Sequence, residues 1–522
     1  MSENKEIDPP QVASVDPSED ELPAVRGPVS YKVWLVQILY LMERAAFYGL
    51  SQPLQNYLQL SRDDPVRPGG LGLGQARAVL VLYVWFAYSY STPLIGGLLS
   101  DCWLGRRKTI QIGFIIYALG LAIITATAFT ERIYGAGGLP GFVVGMFLVG
   151  AGTGTVKPNI TVFLIDQLPE EEPKVVKLKD GSSAVTSREL TIRLIYNVNY
   201  WCINVGALFG IVTTNVELHA GFGFAFLIPL GLIIASATGF QVAYLKFETA
   251  PSTGNAIANV FNALRRRREA AQRTADQTTE VAKQSSGQQE DGTPTPEQDA
   301  AVIADAKRAI RACLVFLPFP ALFLSINLMD TTLVAQAGSM QTHGLPNDIL
   351  FSLNPISVLV FLPFFQNWIY PALAKRKIDF SPKHRVGAGL FCAALAIGYA
   401  AGIQHLIYVT GPCFDRPLKC LGGGIPNDVS VGAQTPTYAF LGWAEILAIV
   451  SGTELAYSRA PGSMKSIVQA LFNIFSALGS VLGIAVSFAA YDPNMVIVYG
   501  AITGLLLLAS FGLEATMFVR GK

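Results

Sequence analysis

Long apolar stretches alternate with short polar connections along most of the chain. The stretches lie near residues 32–60, 77–101, 109–130, 139–166, 194–216 and 222–246, and then near 308–337, 348–374, 386–410, 436–458, 465–490 and 495–519. Because a helix of about 20 residues crosses the hydrocarbon core of a membrane, each stretch predicts one transmembrane helix. The pattern predicts an all-α polytopic membrane protein with twelve transmembrane helices.

A polar insert divides these stretches into two sets of six. We expect a disordered cytoplasmic N-terminal tail (1–29), a first six-helix bundle (30–246), a cytoplasmic linker (247–306) and a second six-helix bundle (307–522). The tail is rich in Asp, Glu, Pro and Ser and holds no apolar core of the kind that a signal peptide needs. The six-plus-six arrangement favours a substrate site between the bundles, at mid-membrane.

Basic residues indicate the orientation. With the N-terminus inside, Lys and Arg cluster in the inner connections, while the outer ones carry only Arg62, Arg67, Arg132, Arg416 and Lys419. Positive charge is typical of cytoplasmic loops, so both termini are expected in the cytoplasm. The run Arg265 to Arg268 favours a lipid-facing segment of the linker over a nucleic-acid site. We expect the plasma membrane by default, and the vacuolar membrane stays open.

Composition agrees with this class of protein. Of the 522 residues, 51% are hydrophobic and 14% charged, which is typical of a polytopic membrane protein. The formal net charge of +1 says nothing about nucleic acid, and we expect no nucleic-acid partner. The sequence shows no metal-ligand cluster, no nucleophile with its base and no nucleotide-binding loop. We therefore expect a monomeric membrane protein that is not an enzyme and binds no cofactor.

Two charged residues interrupt the first apolar stretch. A charge near the bilayer centre costs about 2.5 to 3.5 kcal/mol, so Glu43 and Arg44 should face other helices or water rather than lipid. The residues that share their helical stripe are Tyr40, Phe47 and Ser51. Two interpretations follow: a buried ion pair that fixes helix packing, or a site for substrate and protons.

Other polar positions stand in or beside the apolar stretches. Asp101 near Arg106 and Arg107 can form a latch between helix ends at the inner membrane edge. The fourth stretch carries three glycines that permit close helix approach, followed by Lys157: Gly150, Gly152 and Gly154. Pro158 should bend this helix and free a carbonyl.

Asn199 and Asn204 are amides within the fifth stretch, serving either as contacts between helices or as donors to a ligand. Cys413 and Cys420 share an outer loop, where the environment is oxidising, and a structural disulfide between them is plausible.

Four motifs together resemble those of the proton-dependent oligopeptide transporters of the major facilitator superfamily, and the second half resembles the fungal branch. They are GGLLSDCWLGRR, GAGTGTVKPNITVF, NYWCINVG and AEILAIVSGTELAYSRAPGSMKS, in that order along the chain. The resemblance covers essentially all twelve stretches. It implies a symporter that imports di- or tripeptides with protons by alternating access between two bundles, in the major facilitator fold.

The resemblance also implies roles for individual residues. Arg44 and Lys157 would hold the peptide carboxylate, and Glu445 in the tenth stretch would receive the amino terminus. The other substrate contacts implied are Tyr48, Asn204 and Asn327. The proton-coupling residues implied are Glu43, Lys157, Asp330 and Glu445.

This chain departs from the family pattern at several of these positions. Tyr40 occupies the place of a first glutamate in the first helix, and Phe47 that of a tyrosine. Asn327 stands where many members carry an acid, and Asp330 is one turn further on. A transporter of another small anionic or drug-like substrate, or a receptor that binds peptide without transport, therefore stays open.

Overall fold

The computed structural model describes residues 22–129, 138–168, 174–177, 182–247, 256–277, 295–378, 380–417, 425–461 and 464–520. The first half contains α1 (Tyr31–Ser51), α2 (Leu54–Gln59), α3 (Gln75–Leu99), α4 (Arg106–Phe129), α5 (Gly138–Asp166), α6 (Arg188–Ala207), α7 (Gly210–Ala220) and α8 (Phe222–Ala243). Helix α9 (Ala256–Gln277) and the start of α10 (Pro296–Ala312) lie in the polar insert. The second half continues with α11 (Phe319–Asn327), α12 (Thr332–Gly338), α13 (Leu353–Phe364), α14 (Tyr370–Lys375), α15 (Pro382–Val409), α16 (Thr435–Ala444), α17 (Ser451–Arg459), α18 (Lys465–Ser487) and α19 (Met495–Arg520).

Short turns of other helix types extend several of these helices. The turns with 3₁₀ geometry are Tyr244–Lys246, Cys313–Phe316, Leu328–Asp330, Ile349–Ser352 and Val431–Gln434. The wider π turns are Ser100–Leu104, Phe365–Ile369 and Glu445–Val450. Because a π turn places an extra residue in the helix, it changes the direction of the side chains that follow.

The predicted all-α membrane fold is confirmed. The described residues contain fewer than the twelve predicted transmembrane helices. Ten of the described helices are long and apolar enough to cross a membrane, and the bent pair Pro296–Phe316 with Phe319–Gly338, angled at 51°, would add an eleventh. Helix α1 is not among them, since Glu43 and Arg44 lower its hydropathy. The count of twelve stays a prediction.

A small sheet lies beside the first half. Strand β3 (Ser183–Ser187) pairs with β1 (Ala24–Arg26) in parallel and with β2 (Val175–Lys177) in antiparallel orientation. Strand β1 falls within the tail that we predicted to be disordered, so that prediction is wrong for these three residues. Their backbone groups gain hydrogen-bond partners from β3, which the tail's polar composition does not indicate.

The predicted linker contains the start of a helix that we did not expect. Helix α10 begins inside the predicted linker and runs past residue 306 without a break. Thr295 and Gln298 form a capping box at its start, which satisfies backbone N–H groups. Asp299 in its first turn faces α9, where Arg266 donates to both carboxylate oxygens of Asp299 at 2.8 and 2.6 Å.

The three glycines of α5 bring neighbouring helices into close contact, as predicted. A Cβ on Gly150 would lie 2.6 Å from the Tyr88 ring, and one on Gly154 would lie 2.1 Å from Thr92 Oγ1. A Cβ on Gly152 would lie 2.7 Å from the backbone of Tyr117 in α4. The absence of side chains at these positions is therefore what lets α3 and α4 pack on α5.

Hydrogen bonds join the two halves at one end of the molecule. This distal end, opposite the linker helices, comprises segment 52–74 with its short helix α2, the end of α7 and loop 339–348. Asn56 and Asn347 exchange two hydrogen bonds, each of 2.9 Å. Arg67 Nη1 donates to the Gly338 carbonyl at 2.8 Å. Nearer the middle, the rings of Tyr90 and Phe323 meet across the halves at 6.3 Å.

Candidate functional site

Glu43 and Arg44 form a buried ion pair on α1. Arg44 Nε donates to Glu43 Oε2 at 2.6 Å, and Arg44 Nη2 donates to Glu43 Oε1 at 2.5 Å. The side chains are 0% and 2% exposed, so the predicted inward stripe is confirmed for this pair. A two-point contact of this kind between a guanidinium and a carboxylate is both strong and directional.

Thr153 on α5 ties this pair to a second helix. Its hydroxyl donates to Glu43 Oε1 at 3.1 Å and accepts from Arg44 Nη2 at 3.0 Å. One hydroxyl therefore satisfies both partners, and it fixes the side of α1 that faces α5. The sequence reading missed Thr153, and its only signal was a polar residue among the glycines of α5.

Aromatic rings cover the guanidinium of Arg44. Its central carbon lies 5.6 Å from the centre of the Tyr40 ring and 5.0 Å from that of Phe47. The Phe47 ring in turn stacks on Trp85 of α3 at 5.6 Å. The two residues that depart from the family pattern thus stabilise the cation through their ring faces, an interaction that is strongest where water is excluded.

Lys157 interacts electrostatically with both Glu43 and Arg44 but makes no ion pair with Glu43. Its ammonium group is 5.9 Å from the centre of the Tyr90 ring. Among the ion pairs between described residues, none includes Lys157, so its predicted contact with Glu43 is not formed here. A half-buried cation with no carboxylate partner within the described part of the chain is free to meet an anion.

Glu445 lies in the second half, at the start of a π turn between α16 and α17. Asn354 Nδ2 of α13 donates to its Oε1 at 2.9 Å. Asn354 is buried, whereas Glu445 is half-buried. The amide orients one carboxylate oxygen and leaves the other without a hydrogen bond from Asn354.

Asn327 and Asp330 lie where α11 ends and the chain turns before α12. Asn327 Nδ2 donates to Ser480 Oγ of α18 at 3.0 Å, so this amide joins two helices. Asp330 is 9% exposed, and its Oδ1 accepts no hydrogen bond from the described residues. Asp330 also interacts electrostatically with Glu445, which places two acids on the same side of the second half.

Tyr48 interacts with charged residues of both halves. It interacts electrostatically with Arg44 of the first half and with Glu445 and Asp330 of the second. Its ring lies 6.0 Å from that of Phe351 across the halves. Asn204 instead donates to the Tyr200 carbonyl of its own helix at 3.0 Å. The structure therefore brings Arg44, Tyr48 and Glu445 towards one centre.

The inner latch has a partner that sequence reading missed. Arg106 Nη1 donates to both carboxylate oxygens of Asp166 at 2.9 and 2.7 Å, whereas the nearest contact to Asp101 is 3.7 Å. Partial burial raises the pKa of Asp101. Arg107 donates to the Tyr244 carbonyl at 3.1 Å. The latch thus joins α4 chiefly to the end of α5.

Two further predictions concern cysteines and metals. Cys413 takes part in a disulfide, and its predicted partner Cys420 lies outside the described residues. Within the part of the chain that the structure describes, no group of three or more His, Cys, Asp or Glu side chains is placed to hold a metal.

Comparison with known proteins identifies the family. A family model described as "POT family" matches residues 107–502, about three quarters of the chain. The chain belongs to the POT family. Relatives include "Peptide transporter PTR_C" of Candidozyma auris, 35% identical over 94% of this chain and 84% of the relative. Another is "Probable peptide transporter ptr2" of Schizosaccharomyces pombe, 34% identical over 94% of this chain and 78% of the relative.

A solved structure supports the fold independently. The POT family transporter PepTSo superposes with a TM-score of 0.73 at 18% identity, covering 95% of this chain and 99% of that one. At this identity the likeness shows the fold alone.

Proposed function

We propose that this protein imports di- and tripeptides together with protons across the plasma membrane, with both termini in the cytoplasm. The observation that carries this proposal is the separation of charge between the halves. Arg44 and Lys157 lie in the first half, and Glu445 and Asp330 lie in the second. A peptide is a zwitterion, and its carboxylate and amino group need opposite charges at opposite ends of a site.

Glu43 supplies the coupling to protons. In the structure Glu43 accepts hydrogen bonds from Nε and Nη2 of Arg44, and Thr153 accepts a further one from Nη2. Both edges of the guanidinium that could make a two-point contact with a substrate carboxylate are therefore engaged. Protonation of Glu43 removes its charge and releases Arg44 for the substrate carboxylate. Deprotonation restores the pair and expels the peptide. Because each state favours a different partner of Arg44, alternating access converts a proton gradient into peptide accumulation.

We expect a monomer whose partners are peptides, protons and the lipid bilayer, acting as a transporter rather than an enzyme. A second candidate is a transporter of another small anion on the same fold. Lys157 favours it, because this half-buried cation has no ion-pair partner among the described residues. Such a substrate needs Arg44 and Lys157 but makes no use of Glu445.

Uptake into liposomes tests both candidates. The purified protein is reconstituted with an inward proton gradient, and labelled dipeptide is followed for wild type, Arg44→Ala and Glu445→Gln. Matched controls are Arg77→Ala at the exposed start of α3 and Glu454→Gln, an exposed glutamate of the same span as Glu445.

The proposal expects accumulation that collapses with a protonophore, is lost in both site variants and persists in both controls. Uptake that needs Arg44 but tolerates Glu445→Gln would favour the anion transporter. Peptide binding without uptake would favour a receptor. Equal loss in the site variants and their controls would contradict the assignment of these residues.

A further inference from the structure

Two buried carboxyl groups face each other across the halves at the distal end. Glu217 belongs to α7 of the first half, and Asp348 directly precedes the turn Ile349–Ser352 of the second half. Each is 1% exposed. The two carboxyl groups lie close enough to interact electrostatically. None of the peptide-site residues described above contributes to this contact.

The neighbouring amides satisfy only part of this pair. Asn56 Nδ2 donates to Glu217 Oε1 at 3.1 Å and to Asn347 Oδ1 at 2.9 Å. Asn347 Nδ2 donates to Asn56 Oδ1 at 2.9 Å and to the Val334 carbonyl at 3.0 Å. Among the described residues, Glu217 Oε2 and both carboxylate oxygens of Asp348 therefore accept no hydrogen bond.

No cation among the described residues pairs with either acid. Arg67, whose side chain lies beside Gly338, bonds to Asp64 and to the Gly338 carbonyl. Tyr438 of α16 interacts electrostatically with Asp348 and is a neutral neighbour. His219, two residues after Glu217 in α7, is exposed, and its ring hydrogen-bonds with the Asn215 carbonyl. His343 is in the same loop as Asp348.

Two carboxylates that are buried side by side cannot both stay ionised. One proton makes one of them a donor, and the hydrogen bond that results satisfies an oxygen on each side. Burial also raises the pKa of Asp348 in the distal loop. A proton is thus a ligand that fits this site with no change in the positions of the surrounding side chains.

We propose that Glu217 and Asp348 bind one shared proton, and that this proton holds the distal ends of the two halves together. In the orientation proposed above, the distal end is the outer side of the membrane. The pair is then a second proton site, which controls outer opening and is separate from Glu43.

The direction of the pH effect follows from the two states. In the closed state the acids are buried together, so their proton affinity is higher than in an open state that water enters. The shared proton stabilises closure fully at low pH, and this stabilisation is lost as the pH rises through the closed-state pKa. An acidic exterior therefore favours closure of the outer side.

Distance measurement between spin labels tests this inference. Val66→Cys and Leu345→Cys place labels on exposed positions of the two distal loops, one in each half. Cys102, Cys202, Cys313 and Cys392 are replaced by alanine to leave these positions as the labelling sites. The distances are recorded in lipid nanodiscs from about pH 5 to about pH 8, a range that brackets a raised carboxyl pKa.

We expect the wild type to show the closed distance at low pH and a longer distance that gains about tenfold in relative population as the pH rises by one unit past the pKa. Glu217→Gln and Asp348→Asn each supply a neutral donor in place of the shared proton, so both should stay closed throughout. Asp63→Asn, an exposed acid of the same distal loops, should leave the response unchanged. Each variant is taken as correctly folded if its label-to-label distance at low pH equals the closed distance of the wild type.

Both variants retaining the wild-type response would overturn the inference. A response that follows sodium or calcium at constant pH would overturn it too, because the oxygens would then bind a metal cation. The inference rests on the proposed function only for the outer orientation. Since the distances need no substrate, failure of peptide uptake and failure of this pH response are separate results.

Discussion

The ion pair between Glu43 and Arg44 predicts a large and unusual stability pattern. The substitution Glu43→Gln removes one charge and keeps the shape of the side chain. Arg44 stays 2% exposed, and it loses the carboxylate that now accepts from both Nε and Nη2. Thr153 can satisfy only one of these donors, so a buried cation is left without a counter-charge.

The expected loss in unfolding free energy is larger for this buried pair than for an ordinary surface ion pair. Removing one partner of a buried ion pair costs about 3 to 5 kcal/mol, because the remaining charge is uncompensated. Replacing both partners is often neutral, so Glu43→Gln with Arg44→Leu should recover most of the loss. In contrast, Arg266 is 40% exposed in its pair with Asp299, so solvent screening should make the loss from Asp299→Asn much smaller.

Unfolding in mixed micelles with increasing SDS, followed by circular dichroism, measures these free energies for the single and double variants. A saturating dipeptide should restore part of the stability lost in Glu43→Gln, since its carboxylate replaces the missing counter-charge. Additive losses in the double variant would refute the reasoning. A Glu43→Gln loss no larger than that of Asp299→Asn would refute it as well.

Three further outcomes follow from single contacts. Asn354→Ala removes the donor that orients Glu445. Because a hydrogen bond to a charged group is worth about 1.5 to 3 kcal/mol, the KM for dipeptide uptake should rise at least about tenfold with little change in kcat. The control Asn367→Ala, at an exposed position, should leave the KM unchanged. Gly152→Ala should destabilise the protein by about 1 to 3 kcal/mol, because the added Cβ would collide with Tyr117. Gly500→Ala should cause no such loss, since no atom lies within 4 Å of the added Cβ. Equal midpoints of SDS unfolding for the two variants would contradict this prediction. Asp166→Asn should lower the unfolding free energy more than Asp101→Asn, since Arg106 lies closer to Asp166.

The helices and the inward side of α1 could be predicted because the membrane imposes a strong constraint. Apolar stretches long enough to cross the bilayer leave little choice of structure, and charges such as Glu43 and Arg44 must point away from lipid. Glycines 150, 152 and 154 recur at every second residue of one helix, and this spacing alone indicated close packing. These inferences need only the properties of one segment at a time.

Partners on other helices could not be predicted in this way. Thr153 is 109 residues from Arg44, and Asn354 is 91 residues from Glu445. Which of many polar residues meets a given charge depends on how each helix is rotated and how deep it lies. Glu217 and Asp348 show the same limit, since each resembles an ordinary acid near the end of a span. Only the packing of α7 against the turn Ile349–Ser352 buries them together.

The departures at Tyr40 and Phe47 change the charge of the first half as well as its shape. The family pattern provides two glutamates beside the arginine, whereas here Glu43 alone balances Arg44 and two rings cover the guanidinium. Lys157 is then left as one net positive charge of the first half, whereas the second half carries the acids Asp330 and Glu445. In the mechanism that we propose, release of Arg44 then depends on the protonation of a single carboxylate in α1. A chain of this kind should couple each peptide to fewer protons on the first half than a member with both glutamates, and the ratio of proton to peptide flux measures that difference.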